Sequence, residues 1–508
     1  MELKTIARLA SLSLVILFAS CARQSANEGY SSLTGWKYND KDGAGFEVKG
    51  QFVSEVPSGM VSIEGGSFTI GEKGEFVTAP RNSKPRRITV SSFYMDQYEV
   101  RNLDWREYTN WMKVVFNKTA PKLVKKVQPD PNVWREEMAF NDPYLKNYFI
   151  HPAYDQYPVV GVSWEQVMDY CAWRTDRVNE LALVREQIIL PPDFFELEKQ
   201  TNHDSIANFF VFNTAKYLTQ NNYQPPVGKR PMTDVYGEDR KSDMSDGILF
   251  PDYRLPTEAE WEFAAYAISS VTIDGMVAEG KIYPWAGAQV RNPTKAQLGQ
   301  MLANFVRGRG DMMGTSGALN DRATVTAPVN SYSPNDFGLY NMAGNVNEWV
   351  LDVYRPTSYD NTSEYNSFRG NQYLTPIVVG LDSLGQNIYK IDSIGRVATQ
   401  VDKENDVRNF KDGDPTSMVI TDFAQFGDTI GVSNLIDKSK LKLDPTDVLR
   451  PRITDKTRVY KGGSWKDRIY WLNPSTRRFL DQNKCSNDIG FRCAMSMIGN
   501  MPPPPPVK

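Results

Sequence analysis

The sequence is poor in the two side chains that most often carry metal or nucleophilic chemistry, with only four cysteines and two histidines among 508 residues. His151 and His203 lie far apart and outside any recognisable motif. Zinc sites need His or Cys at fixed spacings, and a Ser–His triad would need one of these histidines together with a Gly-x-Ser-x-Gly turn. Neither pattern is present, and no phosphate-binding Gly-x-x-x-x-Gly-Lys-Ser/Thr loop occurs.

The chain also lacks an excess of charge and a long apolar segment in its body. Its formal net charge is -3, which gives no electrostatic reason to expect a nucleic-acid partner. After the N-terminus no stretch approaches the roughly 20 apolar residues that a membrane-spanning helix needs. These absences exclude several function classes before any motif is considered.

The N-terminus has the pattern of a targeting segment. Lys4 and Arg8 precede the apolar stretch "LASLSLVILFAS", which ends in small residues directly before Cys21. This resembles a bacterial lipoprotein signal over residues 1–20, with lipid on the Cys21 sulfur; ordinary secretion with cleavage nearby is the alternative. No Asp follows Cys21, so the resemblance implies the periplasmic side of the outer membrane. A tether over 21–54 follows.

The body of the chain predicts a mixture of strands and capped helices. "GMVSIEGGSFTIG" alternates apolar and polar residues around glycines and predicts a β-hairpin. Ser163 with Gln166, and Thr257 with Glu260, have the spacing of capping boxes that begin helices. In the first helix Cys171 falls on the buried face. Two polar stretches, about 175–252 and 355–450, have the composition of insertions, and a Pro-rich tail occupies 498–508.

Eight short motifs occur in a fixed order over about 55–495 and together resemble the formylglycine-generating-enzyme (sulfatase-modifying factor) domain family. They are GMVSIEGGSFTIG, FYMDQYEV, VSWEQVMDYCAW, RLPTEAEWEFAA, YPWAG, APVNSYSPNDFGLYNMAGNVNEW, RVYKGGSW and IGFRCA. The resemblance implies an α+β, C-type-lectin-like fold over 55–497, with little regular secondary structure and the two large insertions. The lipoprotein signal and the insertions resemble most closely the family's outer-membrane lipoproteins of type IX secretion and gliding.

The resemblance also shows where the family's catalytic cysteine pair would lie. Family oxidases use two thiolates that bind copper, placed four and nine residues after the second glycine of the motif. Counted from Gly463, these positions hold Asp467 and Leu472, and neither side chain can supply a thiolate. Cys485, the only remaining candidate thiol, lies outside the matching position. Asp467, Arg468 and Asp481 could form a polar cluster there, or simply a solvated charged rim.

Calcium binding is the second implication of the resemblance. Ca²⁺ takes oxygen ligands from carboxylates, amides and carbonyls. Two residue sets match the family's sites, so one or two ions are expected; turn capping without an ion is the alternative. The first set is Asn341, Gly344, Val346 and Glu348, and the second is Asn304, Phe305, Asp321 and Ala323.

The resemblance further pairs Cys171 with Cys493 in a disulfide, for which two reduced buried thiols are the alternative. Export makes the bond possible, and in the chain-entropy model it would stabilise the fold by about 4–5 kcal/mol.

The expected function is that of a non-enzymatic structural component of the type IX secretion and gliding machinery. Its partners would be related lipoproteins and other outer-membrane machine components, contacted through the insertions or the tail, and it would hold the membrane through its lipid. Two alternatives stand beside this expectation. One is an oxygen-dependent oxidase with a displaced active site, and the other is a glycan-binding module suggested by the lectin-like fold alone.

Overall fold

The computed structural model describes residues 29–42, 46–49, 55–72, 83, 85–203, 206–220, 223, 225–267, 281–307, 321, 323–355, 368–370, 374–382, 385–401 and 453–499. The α-helices are α1 Asn102–Phe116, α2 Pro121–Lys126, α3 Asp142–Asn147, α4 Trp164–Arg185, α5 Phe194–Lys199, α6 Thr214–Thr219 and α7 Glu258–Tyr266. Short 3-10 turns span Pro131–Trp134, Pro152–Tyr154, Met244–Asp246 and Ile469–Leu472, and a π-helical turn spans Ile206–Phe210.

The strands form two four-stranded sheets and several two-stranded ribbons. In spatial order, the first sheet contains β1 Met60–Ile63, β4 Phe93–Asp96, β16 Ala494–Ser496 and β7 Tyr253–Arg254. The second contains, also in spatial order, β14 Arg478–Asp481, β13 Thr457–Lys461, β8 Asn347–Val353 and β15 Ile489–Gly490. The ribbons pair β2 Gly66–Ile70 with β3 Arg86–Val90, β5 Met232–Thr233 with β6 Asp239–Arg240, β9 Leu374–Pro376 with β12 Thr399–Val401, and β10 Val378–Leu381 with β11 Asn387–Tyr389.

Both predicted capping boxes are confirmed. The Ser163 amide donates to Gln166 Oε1 at 2.9 Å, and the Gln166 amide donates to Ser163 Oγ at 3.3 Å. Thr257 and Glu260 form the equivalent pair at the start of α7. These reciprocal bonds satisfy backbone donors that the first helical turn leaves free, and α4 buries Cys171 as expected. The mixed helix and strand content agrees with the predicted α+β class.

The predicted hairpin at 59–71 is wrong. β1 pairs with β4, and β2 pairs with β3, each antiparallel. Gly65 carries the chain past residues 90–92 so closely that a Cβ would lie 2.4 Å from Val90 O. The apolar residues of the two strands face the core as expected, but each strand pairs with a strand from another part of the chain. Alternation predicts which face of a strand is buried and does not predict which strand pairs with it.

The contacts divide the chain into two compact units. One contains residues 1–53, 181–191 and 224–249; the other contains 54–180, 192–223 and 250–508. The expected insertion boundary at 175 falls inside α4, and 192–223 belongs with the larger unit. Of the 355–450 stretch, the described parts are 355, 368–370, 374–382 and 385–401, which include β9 to β12.

None of the helices among the described residues is long and apolar enough to cross a bilayer. Cys21 and residues 500–508 of the Pro-rich tail lie outside the described residues.

Candidate functional site

The turn at Gly462 and Gly463 positions the segment where the family motif would hold its cysteines. Both glycines have positive φ, +103° and +69°, a backbone region that favours glycine. A Cβ on Gly463 would lie 2.8 Å from Trp471 O, and one on Gly462 would lie 3.0 Å from the Trp261 ring. The turn is therefore shaped by close packing and folds the chain directly from β13 into residues 464–472.

Asp467 is fixed in an ion pair beneath this turn. Arg478 Nη1 and Nη2 donate to its two carboxylate oxygens at 2.6 Å each. Ser464 Oγ donates at 2.7 Å and Asn347 Nδ2 at 3.2 Å. Burial by itself would raise the pKa of Asp467, but the bonds and charge of Arg478 outweigh it and the pKa is lowered. The position thus holds a charged carboxylate whose oxygens both accept hydrogen bonds.

Leu472 fills the second position with a fully buried aliphatic side chain. It belongs to an apolar cluster formed with Tyr283, Met301, Ala303, Phe305 and Ala343. Its side chain is a hydrocarbon, which can neither bind a metal nor act on oxygen, and it contributes only packing to this cluster.

The polar cluster around Asp467 differs from the expected one. Its cationic partner is Arg478, rather than Arg468, and Asp481 instead accepts a bond from the Asn483 amide. The side chains of Asp467 and Arg478 are only 12% and 18% exposed, so Asp467 does not belong to a solvated rim, whereas Arg468 is exposed. Arg478 was not anticipated. β14 carries it opposite Tyr460 of β13, a register that no local motif encodes.

Asp488 adds a second carboxylate to this cluster. Asn347 Nδ2 donates to Asp488 Oδ2 at 3.0 Å, and Ser464 Oγ lies 3.4 Å from the same atom. Asn347 and Ser464 therefore bridge Asp467 and Asp488, a connection that the sequence does not reveal.

Buried ion pairs join the residues that flank the turn to helix α7. Lys461, fully buried, donates to Glu262 at 2.7 Å and to Glu258 at 3.2 Å. Arg477 donates to Glu258 through two bonds of 2.6 and 2.9 Å. Burial opposes ionisation of Glu258, but the charges of Arg477 and Lys461 lower its pKa to about 2. The two basic residues thus keep the Glu258 carboxylate ionised inside the core.

The predicted disulfide partners lie together in the core. Cys171 and Cys493 are both buried, with their sulfur atoms 3.7 Å apart as free thiols. The disulfide therefore stays a prediction with the two sulfurs already adjacent. Cys485 is partly buried and unpaired, and burial raises its pKa to about 11, which disfavours the reactive thiolate.

The first predicted calcium set lies in the loop 341–348, which leads into β8. Asn341 Nδ2 donates to Glu99 and to the Val329 carbonyl, while Asn341 Oδ1 is buried without a hydrogen-bond partner. Glu348 accepts from Trp261 Nε1 at 2.7 Å and from Arg492 at 2.7 and 2.6 Å.

The second set adjoins the first. The Asn345 amide donates to Asn304 O at 2.9 Å, and a Cβ on Gly344 would lie 2.5 Å from that oxygen. Asn304 Nδ2 donates to the Val325 carbonyl, two residues beyond Ala323, and Phe305 is buried beside Leu472. Asp321 Oδ1 accepts from the Ala323 amide at 3.2 Å. Gly344 and Asn304 therefore bring the two loops into contact.

The fit to calcium differs between the ligands. The Asn341 oxygen fits, because a buried acceptor without a partner is costly unless a cation or donor reaches it. Glu348 fits less well, since its carboxylate is already neutralised by Arg492. Within the described ranges no three Asp, Glu, His or Cys side chains form a metal-binding group, so an ion here would depend largely on amide and carbonyl oxygens.

Comparison with known proteins identifies the family. The model of the sulfatase-modifying factor enzyme 1-like domain matches residues 46–405. The chain belongs to this family. The predicted family resemblance is thus confirmed, and the match ends before the Gly462 turn, whose assignment rests on the RVYKGGSW motif.

Among curated relatives, the chain is 26% identical over 294 residues to the mouse formylglycine-generating enzyme, covering 58% of each protein. It thus spans about three fifths of that enzyme. It is 36% identical over 325 residues to the bovine inactive C-alpha-formylglycine-generating enzyme 2, covering 59% of this chain and 73% of that protein. Among solved structures, PvdO from Pseudomonas aeruginosa aligns with 86% of this chain and 94% of its own at 15% identity and a TM-score of 0.40.

Proposed function

We propose that this protein is a non-enzymatic outer-membrane lipoprotein that serves as a structural component of type IX secretion and gliding, of the GldJ type. The observation that carries the proposal is the pair Asp467 and Leu472 at the positions of the family's two cysteines. Thiolates are the soft ligands that copper prefers. An ion-paired carboxylate and a buried leucine offer neither a thiolate nor an open coordination position.

The packing of the two replacements supports a structural role. Removing Asp467 would take away both carboxylate oxygens to which the Arg478 guanidinium donates, and Leu472 completes an apolar cluster. Both side chains therefore stabilise the turn through packing and charge. The family contains a relative whose name describes it as inactive, so loss of activity within this fold has a precedent.

The anchor and the partner surfaces belong to the same proposal. Lipid on Cys21 would hold the protein on the periplasmic side of the outer membrane. The lectin-like frame would then present 175–252, 355–450 and the Pro-rich tail to related lipoproteins and other machine components, because binding surfaces concentrate on loops held by a rigid scaffold.

Calcium would brace this frame. One ion would be held by Asn341 Oδ1, the carbonyls of Gly344 and Val346, and the Glu348 carboxylate, which it would share with Arg492. The other ion would be held by Asn304, Phe305, Asp321 and Ala323. Ca²⁺ supplies a point of positive charge that draws these oxygens together and requires no chemistry from the turn. The ion would thus stabilise the loops that adjoin the second four-stranded sheet.

The proposal is tested by a matched pair of cysteine substitutions in the native strain. Cys21→Ser removes the lipid attachment, whereas Cys485→Ser removes the one thiol that a displaced oxidase site could use. We expect Cys21→Ser to abolish secretion of type IX cargo and gliding, and Cys485→Ser to leave both unchanged. Normal secretion in a strain that lacks the gene, or loss of secretion in Cys485→Ser at normal protein level, would contradict the proposal.

A further inference from the structure

Residues 29–42 and 46–49, the first two described ranges of the chain, expose several large apolar side chains. Leu33 is 94% exposed, Phe46 is 73% exposed and Trp36 is 68% exposed. Tyr30, at the start of the segment, is 47% exposed. Clustered exposed aromatic and aliphatic residues usually mark a contact surface. These four residues, the apolar tip, need a partner that covers them.

The backbone holds the apolar tip in a closed turn. The Ser31 amide donates to Trp36 O at 2.7 Å, and the Gly35 amide donates to Ser31 O at 2.9 Å. Gly35 has φ +74°, which lets the chain reverse between Leu33 and Trp36. The Leu33 and Thr34 amides both donate to Ser31 Oγ. The exposure of Leu33 and Trp36 is therefore built into a hydrogen-bonded turn.

The segment that follows is fastened to its own unit. Asn39 exchanges two hydrogen bonds with Val48, of 2.8 and 2.9 Å. Lys49 Nζ lies 3.0 Å from Asp243 Oδ1 and 2.8 Å from Asp246 Oδ1. The Asp246 side chain is only 4% exposed, which strengthens its charge interactions relative to a fully solvated pair. The apolar tip is thus displayed by the folded unit that contains 224–249.

The position of the apolar tip in the chain indicates what covers it. Tyr30 is nine residues after Cys21, and an extended chain of that length spans at most about 30 Å. If the acyl chains of Cys21 lie in a bilayer, as the proposed function holds, this length is the greatest distance at which the start of the apolar tip can lie from the membrane surface. Trp and Tyr prefer the interface between lipid headgroups and acyl chains, and stable anchoring takes a second contact beside the lipid.

We infer that the apolar tip at Tyr30, Leu33, Trp36 and Phe46 inserts into the phospholipid surface beside the lipidated Cys21 and fixes how the protein stands on the membrane. The inference rests on the proposed lipid anchor. The partner it commits to is a phospholipid leaflet rather than another protein.

Another exposed apolar stretch provides a matched control. Leu381 is 65% exposed and Val379 is 61% exposed, on strand β10 in the other unit. They resemble Leu33 and Trp36 in apolar character and exposure, but hundreds of residues separate them from Cys21. Their distance from Cys21 along the chain means that the lipid anchor does not hold them near a membrane, although both side chains are exposed and apolar.

The first experiment places the lipidated protein in vesicles of phosphatidylethanolamine and phosphatidylglycerol that carry brominated acyl chains. Bromine quenches tryptophan fluorescence on contact. We expect quenching in the wild type and its loss in Trp36→Phe. Trp285→Phe, which removes a half-buried tryptophan of the other unit, should keep the quenching. Equal quenching in the wild type and in Trp36→Phe would overturn the inference.

The second experiment measures flotation of the unlipidated Cys21→Ser chain with unbrominated vesicles of the same lipids. Replacing Leu33→Ser together with Trp36→Ser should lower the partition coefficient by about tenfold or more, given the apolar area that the two side chains carry. Val379→Ser together with Leu381→Ser should leave it unchanged. Equal partitioning of the two double variants would contradict the inference.

Two further readouts separate the inference from the proposed function. Mass spectrometry of the N-terminal peptide shows whether Cys21 carries acyl chains. An unmodified Cys21 would overturn the proposed anchor and the inference with it, whereas an acylated Cys21 with unquenched Trp36 would overturn the inference alone. A benzophenone residue placed at Leu33 should crosslink to phospholipid, and capture of a protein instead would overturn the lipid as partner.

Discussion

The loops 341–348 and 464–472 meet backbone to backbone but differ in what their side chains retain. The Gly344 amide donates to Gly462 O at 2.9 Å, and the Trp465 amide donates to Asn345 O at 2.8 Å. The first loop holds its polar side chains in buried bonds to Glu99 and Arg492, whereas the second carries Asp467 and Leu472, the residues predicted at the family's cysteine positions. Long-range polar contacts thus support the first loop, and an ion pair with an apolar cluster supports the second.

The largest predicted effect lies in the first loop. Glu348→Gln should lower the free energy of unfolding by about 3–5 kcal/mol, because it leaves the guanidinium of Arg492 buried without a counter-charge. Urea titration of purified protein measures this. Glu196→Gln, which disrupts an exposed pair with Lys199, serves as the control and should leave stability unchanged. A loss in Glu348→Gln no larger than in the control would show that this loop does not support the frame.

The second loop should depend on its ion pair to a smaller extent. Asp467→Ala should cost about 2–3 kcal/mol, since the pair with Arg478 is partly screened by solvent. A double-mutant cycle with Arg478→Ala isolates the coupling between the two side chains. Coupling near zero would mean that the ion pair with Arg478 does not stabilise the second loop, which would contradict the role that we give to Asp467.

Acid should act on the charged residues that clamp the turn to α7. The pKa of Glu258 is about 2 in the folded protein, below the value of about 4.3 for an exposed glutamate. Its contribution is therefore fully present above about pH 4.3 and is lost as the pH falls towards 2. Urea midpoints measured across this range should fall more steeply for the wild type than for Glu258→Gln. Parallel curves would exclude Glu258 as a source of acid sensitivity.

Asp352 should produce the opposite slope at higher pH. Burial, with the nearby charge of Glu258, raises its pKa to about 7. A raised acid pKa favours the folded state at low pH and loses that contribution as the pH rises from about 4 to 7. Asp352→Asn should therefore flatten the decline in stability over this window. An unchanged slope in Asp352→Asn would contradict the assignment.

Calcium should have the smallest effect. At a calcium concentration ten times the dissociation constant, binding stabilises the folded state by about 1.4 kcal/mol. Adding Ca²⁺ should raise the melting temperature of the wild type and leave Asn341→Ala nearly unchanged, whereas Mg²⁺ should act weakly on both. An equal rise in the wild type and Asn341→Ala would show that the ion binds elsewhere.

The sequence predicted the features that depend on neighbours along the chain. Both capping boxes are confirmed, because each joins residues three apart, and the burial of Cys171 follows from the helical period. The hairpin at 59–71 failed because strand partners are chosen across the chain. Family membership is confirmed because ordered motifs carry more information than any single one.

The missed residues act through contacts that only the folded chain creates. Glu99 accepts from Asn341, which lies 242 residues away, and Arg492 pairs with Glu348 across 144 residues. Arg478 reaches Asp467 only because the β13–β14 register sets its face. Periodicity and spacing describe local geometry, so partners that meet only in the folded chain leave no local signal.

The proposed structural role requires that the turn carries out no oxidase chemistry, and one assay tests this directly. The purified protein is incubated with copper, oxygen, a thiol reductant and a cysteine-containing sulfatase peptide, and the peptide mass is followed over time. We predict that the cysteine remains unconverted, for the wild type and for Cys485→Ser alike. Catalytic turnover to formylglycine by the wild type would contradict the central claim.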